Sequence, residues 1–443
     1  MSLAKRFFKF VLPSIVSMWV FSLYTMADGI FVAQGVGEKA LAAVNLSMPM
    51  TSAIFAIGLL LATGTSVVVS ISLGQGDKPR ARQLFNQNLV VTTVVGLIFT
   101  GLIWLNLERV ALFLGATPDT LEFVKIYAGT IAGFSVFFMV SYNLEVLVKA
   151  DGAPQVSTIG VLSCAIMNIL LDYIFVMHFH WGVWGAALAT GLAQVTSTLL
   201  FVVYFIRNPH NLKFERFKPD LKVYRRIVPI GVGEGIAEFS NGLVIFLYNQ
   251  TILAVIGEFG LVSYTVISYF NTLVLMSMTG TSQGLQPLLS FHYGRGERKT
   301  CHTLLKYGLL LVAFFSAVSL AIAQFGAPLI TSFFVGRDEA QLFGYTVWAM
   351  RLFSVSFALV GFNVVFGGFF AAIEKPKSAM TISLGRGLVL LALSLMVMAV
   401  LFGETGVWLS AAVSEGVCLV ITLLLVRSYR KNLAKNNEIS ADM

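Results

Sequence analysis

The chain has 443 residues, of which 57% are hydrophobic and only 12% charged, against roughly 25% charged in an ordinary soluble domain. With a mean hydropathy of +0.83, this composition excludes a soluble globular enzyme and points to an all-α protein that crosses a lipid bilayer many times. The net charge of +8 resembles a nucleic-acid signal until the charges are placed along the chain.

A span needs about 20 apolar residues. Twelve such windows are found, at residues 7–34, 40–73, 81–107, 120–148, 156–179, 184–206, 224–256, 260–293, 301–325, 339–372, 378–402 and 406–428. Lys5, Arg6 and Lys9 precede the first apolar run and no small-residue cleavage site follows it, so it reads as an uncleaved span. Cys164, Cys301 and Cys418 lie far apart in apolar surroundings and read as packing residues, with no disulfide or zinc spacing.

The basic residues fall in alternate connections. They cluster at the N-terminus, at Lys78–Arg82, between Arg207 and Arg226, at Arg295–Lys306, at Lys375 and Lys377, and from Arg427 to Lys435. The opposite connections hold few: Lys39, Arg109, Lys125, Arg337 and Arg351. The positive-inside rule then puts both termini in the cytoplasm. The charge is a topology signal, and no nucleic-acid partner is expected.

The chain also repeats. Gly37-Glu38 recurs as Gly257-Glu258, Gly64 as Gly284, and Gly74-x-Gly76-Asp77 as Gly294-x-Gly296-Glu297, each at an offset of 220. Ala150 and Pro154 recur as Ala372 and Pro376, and Gly182-Val183-Trp184 as Gly406-Val407-Trp408. Two parallel six-helix repeats around a central cleft follow. They are an N-terminal lobe (1–206) and a C-terminal lobe (224–430), joined by a cytoplasmic loop (207–223) and followed by a tail (431–443).

Four oxygen-bearing side chains of the N-terminal lobe lie about 9 Å below the outer boundary by helical rise: Asp28, Asn168, Asp172 and Thr190. Asn168 and Asp172, at i and i+4, share a helix face. An intramembrane carboxylate is costly and marks a path for ions or substrate. Oxygen ligands suit Na⁺, and paired carboxylates suit a proton, so the coupling ion stays open. In the second repeat the counterparts of Asn168 and Asp172 are Leu390 and Ser394, that of Asp28 falls within Val244–Tyr248, which has no carboxylate, and only Thr190 keeps a similar partner, Ser414, which places the site in one lobe only.

In the C-terminal lobe Glu234 and Glu238 line the cleft and attract cations, form a second proton site, or pair with Arg386, for which Glu415 is a rival partner. Glu145 and Lys149 read as an interfacial ion pair, and His178 and His180 as solvated outer-face residues. There is no P-loop, no nucleophile–base arrangement and no zinc spacing, so neither enzymatic activity nor a cofactor is expected. A monomer is expected.

Several local marks resemble the multidrug and toxic compound extrusion (MATE) family of prokaryotic cation-coupled exporters. They are Met-Ala-Asp-Gly-Ile-Phe-Val around Asp28, Gly-x-Gly-Asp at 74–77, Ala-Asp-Gly-Ala-Pro at 150–154, and Asn168-x-x-x-Asp172 followed by Thr190. The resemblance spans almost the whole chain. It implies a cation site at Asp28, Asn168, Asp172 and Thr190, with Asn143 as a fifth member. It also implies antiport of Na⁺ or H⁺ against lipophilic, often cationic compounds across a prokaryotic inner membrane. Some relatives have a second cation site between acids of the seventh and tenth helices. Here residues 353–370 of the tenth helix contain no acid. A flippase of lipid-linked saccharides is the alternative, and would require a cationic cleft.

Overall fold

The computed structural model describes residues 2–336 and 339–441. Arg337 lies outside the described residues, as do the last two positions of the tail and the side chains of Glu38 and residues 434–441, Lys435 among them. Among the described residues all regular secondary structure is helical. Its helices are α1 (Leu3–Gly35), α2 (Glu38–Gly74), α3 (Lys78–Leu105), α4 (Leu107–Phe113), α5 (Leu121–Gly133), α6 (Ser135–Asp151), α7 (Pro154–Asp172) and α8 (Gly182–Arg207) in the first half. The second half comprises α9 (Tyr224–Val255), α10 (Glu258–Gly294), α11 (Arg298–Ser332), α12 (Ala340–Phe353), α13 (Phe357–Ala372), α14 (Pro376–Leu384) and α15 (Leu390–Ala441).

These helices make twelve spans. α5 and α6 form one span bent by 46°. The bend falls at Phe134, whose ring occupies the space a side chain on Gly191 would need. α7 continues into a π-helical turn at Tyr173–His178, and α14 into another at Gly385–Val389. A 3-10 turn at Ser354–Ser356 joins α12 to α13. Within α15 the backbone turns non-helical at Gly403 (φ 55°). Contacts of Glu415 with Arg386 and of Cys418 with Ile382 show that the chain folds back there as two antiparallel spans. The expected window at 120–148 is thus a broken helix, and α4 is a short helix that the hydropathy windows do not contain.

The repeat extends to backbone geometry. Gly37 and Gly257 precede α2 and α10 with φ of 97° and 96°, and Gly76 and Gly296 follow the same helices at 82° and 73°. Pro154 and Pro376 each open a helix, the position where a missing N–H costs nothing.

The two halves meet on the face that carries the basic connections, called here the terminal face. α2 crosses α9 where a methyl group on Gly64 or Gly231 would collide with the carbonyl oxygen of Ile227 or Leu60. α2 crosses α10 where one on Gly74 or Gly294 would collide with that of Phe291 or Ile71. Such close backbone approach is what small residues provide within a membrane. Arg6 of the first half lies over the Phe291 ring of the second, 5.3 Å from its centroid. Trp19 Nε1 donates to Ser277 Oγ at 3.0 Å. Among the described residues, no hydrogen bond joins the halves beyond that level toward the opposite face. The contacts between the halves described above thus lie on the terminal side of that level.

The segment at 208–220 is held along the first half. The buried Asp151 carboxylate accepts from the backbone N–H of His210, Asn211 and Leu212 at 2.7–2.8 Å and from Tyr204 Oη at 2.8 Å. Gln87 bonds Asp220 through both its amide N–H and its carbonyl oxygen, and Arg80 pairs with Asp220 at 2.8 Å. The Arg80 hydrogen bond holds the Asp220 carboxyl below its ordinary range. This clasp is therefore fully formed at neutral pH and weakens only as the pH falls into the acid range.

Replacing Gly231 by Ala should wedge α2 from α9 and loosen the terminal-face seal. Labelling of Cys164, which lines the cleft, by a membrane-impermeant thiol reagent supplied on that face should then rise several-fold over the parent protein.

Candidate functional site

Asp28 comes from α1, Asn168 and Asp172 from the last turns of α7, and Thr190 from α8. The structure brings the four together. Thr190 Oγ1 lies 3.4 Å from Asp28 Oδ1, and Asn168 Nδ2 donates to Thr190 Oγ1 at 3.4 Å. The Asp28 and Asp172 carboxyls are close enough to influence each other electrostatically. Asn168 and Asp172 are fully buried, and neither oxygen of Asp172 nor Oδ1 of Asn168 accepts a hydrogen bond from a protein donor. Leaving a buried acceptor unsatisfied costs about 1–3 kcal/mol, and more for a charged group. The π-helical turn directly after Asp172 is a common companion of functional positions in helices. Three orphaned oxygens, a second carboxyl and a hydroxyl form a set that can hold a hard cation or a shared proton.

Asn143 stands apart from this group in its bonding. It is fully buried on α6, and its amide joins Asn88 Nδ2 at 2.5 Å, Met139 O at 3.2 Å and Gly58 O at 3.4 Å. Those bonds tie α6 to α3 and α2.

The second feature is a cavity of about 240 Å3 between the halves. Met18, Phe21, Tyr24, Phe55, Tyr142 and Glu145 come from the first half, and Glu234, Glu238, Asn241, Met276, Gln283 and Arg386 from the second. Gln283 Nε2 donates to Tyr142 Oη at 3.1 Å across its floor. Arg386 is matched by Glu415 at 3.2 Å rather than by Glu234 or Glu238. Glu415 in turn accepts from Asn363 at 2.7 Å, and Asn363 accepts from Thr422 at 3.1 Å. Among the described residues Glu234 and Glu238 form no ion pair, so the cleft wall carries an excess of acid.

The Glu145 and Lys149 pair is present at 2.9 Å and is enclosed by protein. The two side chains are 8% and 1% exposed, Ser157 Oγ donates to the same Glu145 oxygen at 3.2 Å, and Glu145 lines the cleft. Its place inside the 120–148 window was the available sequence signal. His178 and His180 are exposed beside the Phe175, Phe179, Trp181 and Trp184 rings. Among the described residues no cluster of three or more His, Cys, Asp or Glu can hold a metal ion.

Comparison with known proteins agrees with this architecture. The MatE family model matches residues 13–174 and 239–398, one stretch in each half. Multidrug export protein MepA of Staphylococcus saprophyticus is 24% identical over 437 residues, covering 98% of this chain and 95% of its own. MepA of Staphylococcus haemolyticus is 25% identical over the same length and shares. An outward-facing multidrug resistance MATE transporter of the MOP superfamily superposes with a TM-score of 0.92 at 22% identity, covering 98% of this chain and 97% of that one. A MOP superfamily transporter from Pyrococcus furiosus, described as having a binding pocket of reverse polarity that suggests a different function, superposes at 0.91 and 22% with the same coverage. With the family pattern matched on both sides of the 208–220 segment and the fold shared along nearly the whole length, the chain belongs to the MatE family.

Proposed function

We propose that the protein is a secondary active multidrug exporter, a transporter and not an enzyme, in which entry of Na⁺ or H⁺ drives a lipophilic, often cationic compound outward. The observation that carries this reading is Asp172, fully buried with neither oxygen accepting from a protein donor, in the group that Thr190 joins to the second carboxyl, Asp28. A carboxyl pair kept in that state is set up to gain and lose a cation. The names of the MepA relatives support export of drugs. The alternate basic connections support a cytoplasmic position for the terminal face and both termini in a prokaryotic cell. The cleft between the halves is reached from outside in this reading. The protein works as a monomer of two lobes (1–206 and 224–430).

Asp28, Asn168, Asp172 and Thr190 bind the coupling ion from outside. Its binding favours one arrangement of the first-half helices, and coupling requires that the two arrangements differ in affinity for the ion. Asn143 holds α6 in register behind that group. Glu234 and Glu238 give the cleft its attraction for cations, and Phe21, Tyr24, Phe55, Met18 and Met276 give it an adaptable apolar surface. Flipping lipid-linked saccharides calls for free cations in the cleft. Arg386 is matched by Glu415 and Lys149 by Glu145, which weighs against that alternative.

Asp28→Asn and Asp172→Asn should each abolish gradient-driven ethidium efflux from proteoliposomes while leaving a folded protein. Full efflux by both variants would overturn the reading. Imposing a Na⁺ gradient and a pH gradient separately on the parent protein should show efflux under only one of them, which identifies the ion. Glu234→Gln combined with Glu238→Gln should raise the Kd for ethidium while sparing binding of an uncharged compound of similar size.

A further inference from the structure

The buried pair Glu145 and Lys149 connects two cavities. Glu145 lines the cleft between the halves, while Lys149 lines a separate pocket of about 70 Å3 at the terminal face, with Arg6, Asp151, Asn211 and Phe291. The wall between the two spaces is thus crossed at this point by one carboxylate and one ammonium, 2.9 Å apart. A buried ion pair contributes little to stability, because desolvation offsets its attraction. An apolar pair of similar volume would seal the wall as well. On the cleft side Tyr24 of α1 lies within electrostatic reach of both Asp28 and Glu145. Tyr24 and Glu145 both line the cleft, and the Glu145–Lys149 contact leads from there to the pocket on the terminal face.

We propose that Glu145 and Lys149 are the exit relay for a coupling proton. This rests on the antiport reading and adds to it a route and the identity of the ion. A proton reaching the cleft side protonates Glu145 and neutralises it. Lys149 then holds an unmatched charge in a buried site, which is costly to keep, and it releases its proton into the terminal-face pocket. The Glu145 carboxyl passes its proton across the 2.9 Å contact to the neutral amine, which restores the pair. One proton enters, one leaves, and both side chains return to their starting state. Ser157 Oγ, on the same Glu145 oxygen, keeps the carboxylate oriented through the cycle. The other charged and titratable groups around the relay are Tyr142 of α6, Cys164 of α7, and Glu234 and Glu238 of α9 on the cleft side, with Arg6 of α1 and Asp151 of α6 on the pocket side.

Lys149→Arg tests the relay, because a guanidinium preserves the ion pair but does not release a proton. Proteoliposomes would carry ethidium and a pH-reporting dye on the terminal face, with acid imposed on the other. Lys149→Arg should fold and bind ethidium like the parent while proton arrival falls by about 100-fold or more, the usual contribution of a placed proton donor or acceptor. The double variant Glu145→Gln, Lys149→Met removes both charges together and should behave in the same way. Parent-like proton arrival in either variant would overturn the relay. So would loss of ethidium binding in a folded variant, since the pair would then be shaping the cleft. A parent protein that exports ethidium under a Na⁺ gradient without proton arrival overturns the relay and leaves the antiport reading intact. Export under neither gradient overturns both.

Discussion

A carboxylate at the centre of a bilayer costs about 2.5–3.5 kcal/mol even on the lenient insertion scales, so each charge placed there must be matched or used. In this chain the matching is selective. Lys149 matches Glu145, and Arg386 matches Glu415, each within one half. Asp28 and Asp172 are given only each other, and Glu234 and Glu238 have no ion-pair partner among the described residues. Two sets of acids are therefore left available, one buried within the first half and one on the wall between the halves. Everything the fold does around them serves access. It brings the halves together with backbone crossings at Gly64, Gly231, Gly74 and Gly294 and encloses the cleft between them.

The parts of the fold that depend on local rules were legible in the sequence. Apolar length placed the spans to within a few residues, and glycines at a fixed offset revealed the repeat because each is required by a backbone angle or a close crossing. The grouping of Asp28, Asn168, Asp172 and Thr190 was legible for a related reason. Helical rise fixes depth, and four polar groups at one depth in one bundle have few places to go. What sequence could not supply was pairing across helices. Whether Arg386 faces Glu415 or Glu234 depends on rotation about helix axes, which a run of apolar residues does not encode. Asn143 was assigned through family likeness, but its hydrogen bonds run to Asn88 and Gly58. Glu145 and Lys149 lay near a window edge and so suggested an interface, whereas α6 continues to Asp151 and buries both. The break at Phe134 and the reversal at Gly403 are set by tertiary packing and by a single backbone angle.

The clasped segment at 208–220 sets a length. Because Asp151, Gln87 and Arg80 hold it as far as Asp220, the covalent leash between the halves is only the 3-10 turn Leu221–Val223. The four steps from Asp220 to Tyr224 span about 8 Å coiled, and would reach about 14 Å if pulled straight. The slack near Tyr224 is thus about one helical turn. With so short a tether, α9 cannot translate far from α3 at the terminal face, and relative motion of the halves must be mostly rotation about an axis close to this joint. A loop that looks long enough in sequence to let two domains drift apart is, as folded, a short hinge pin.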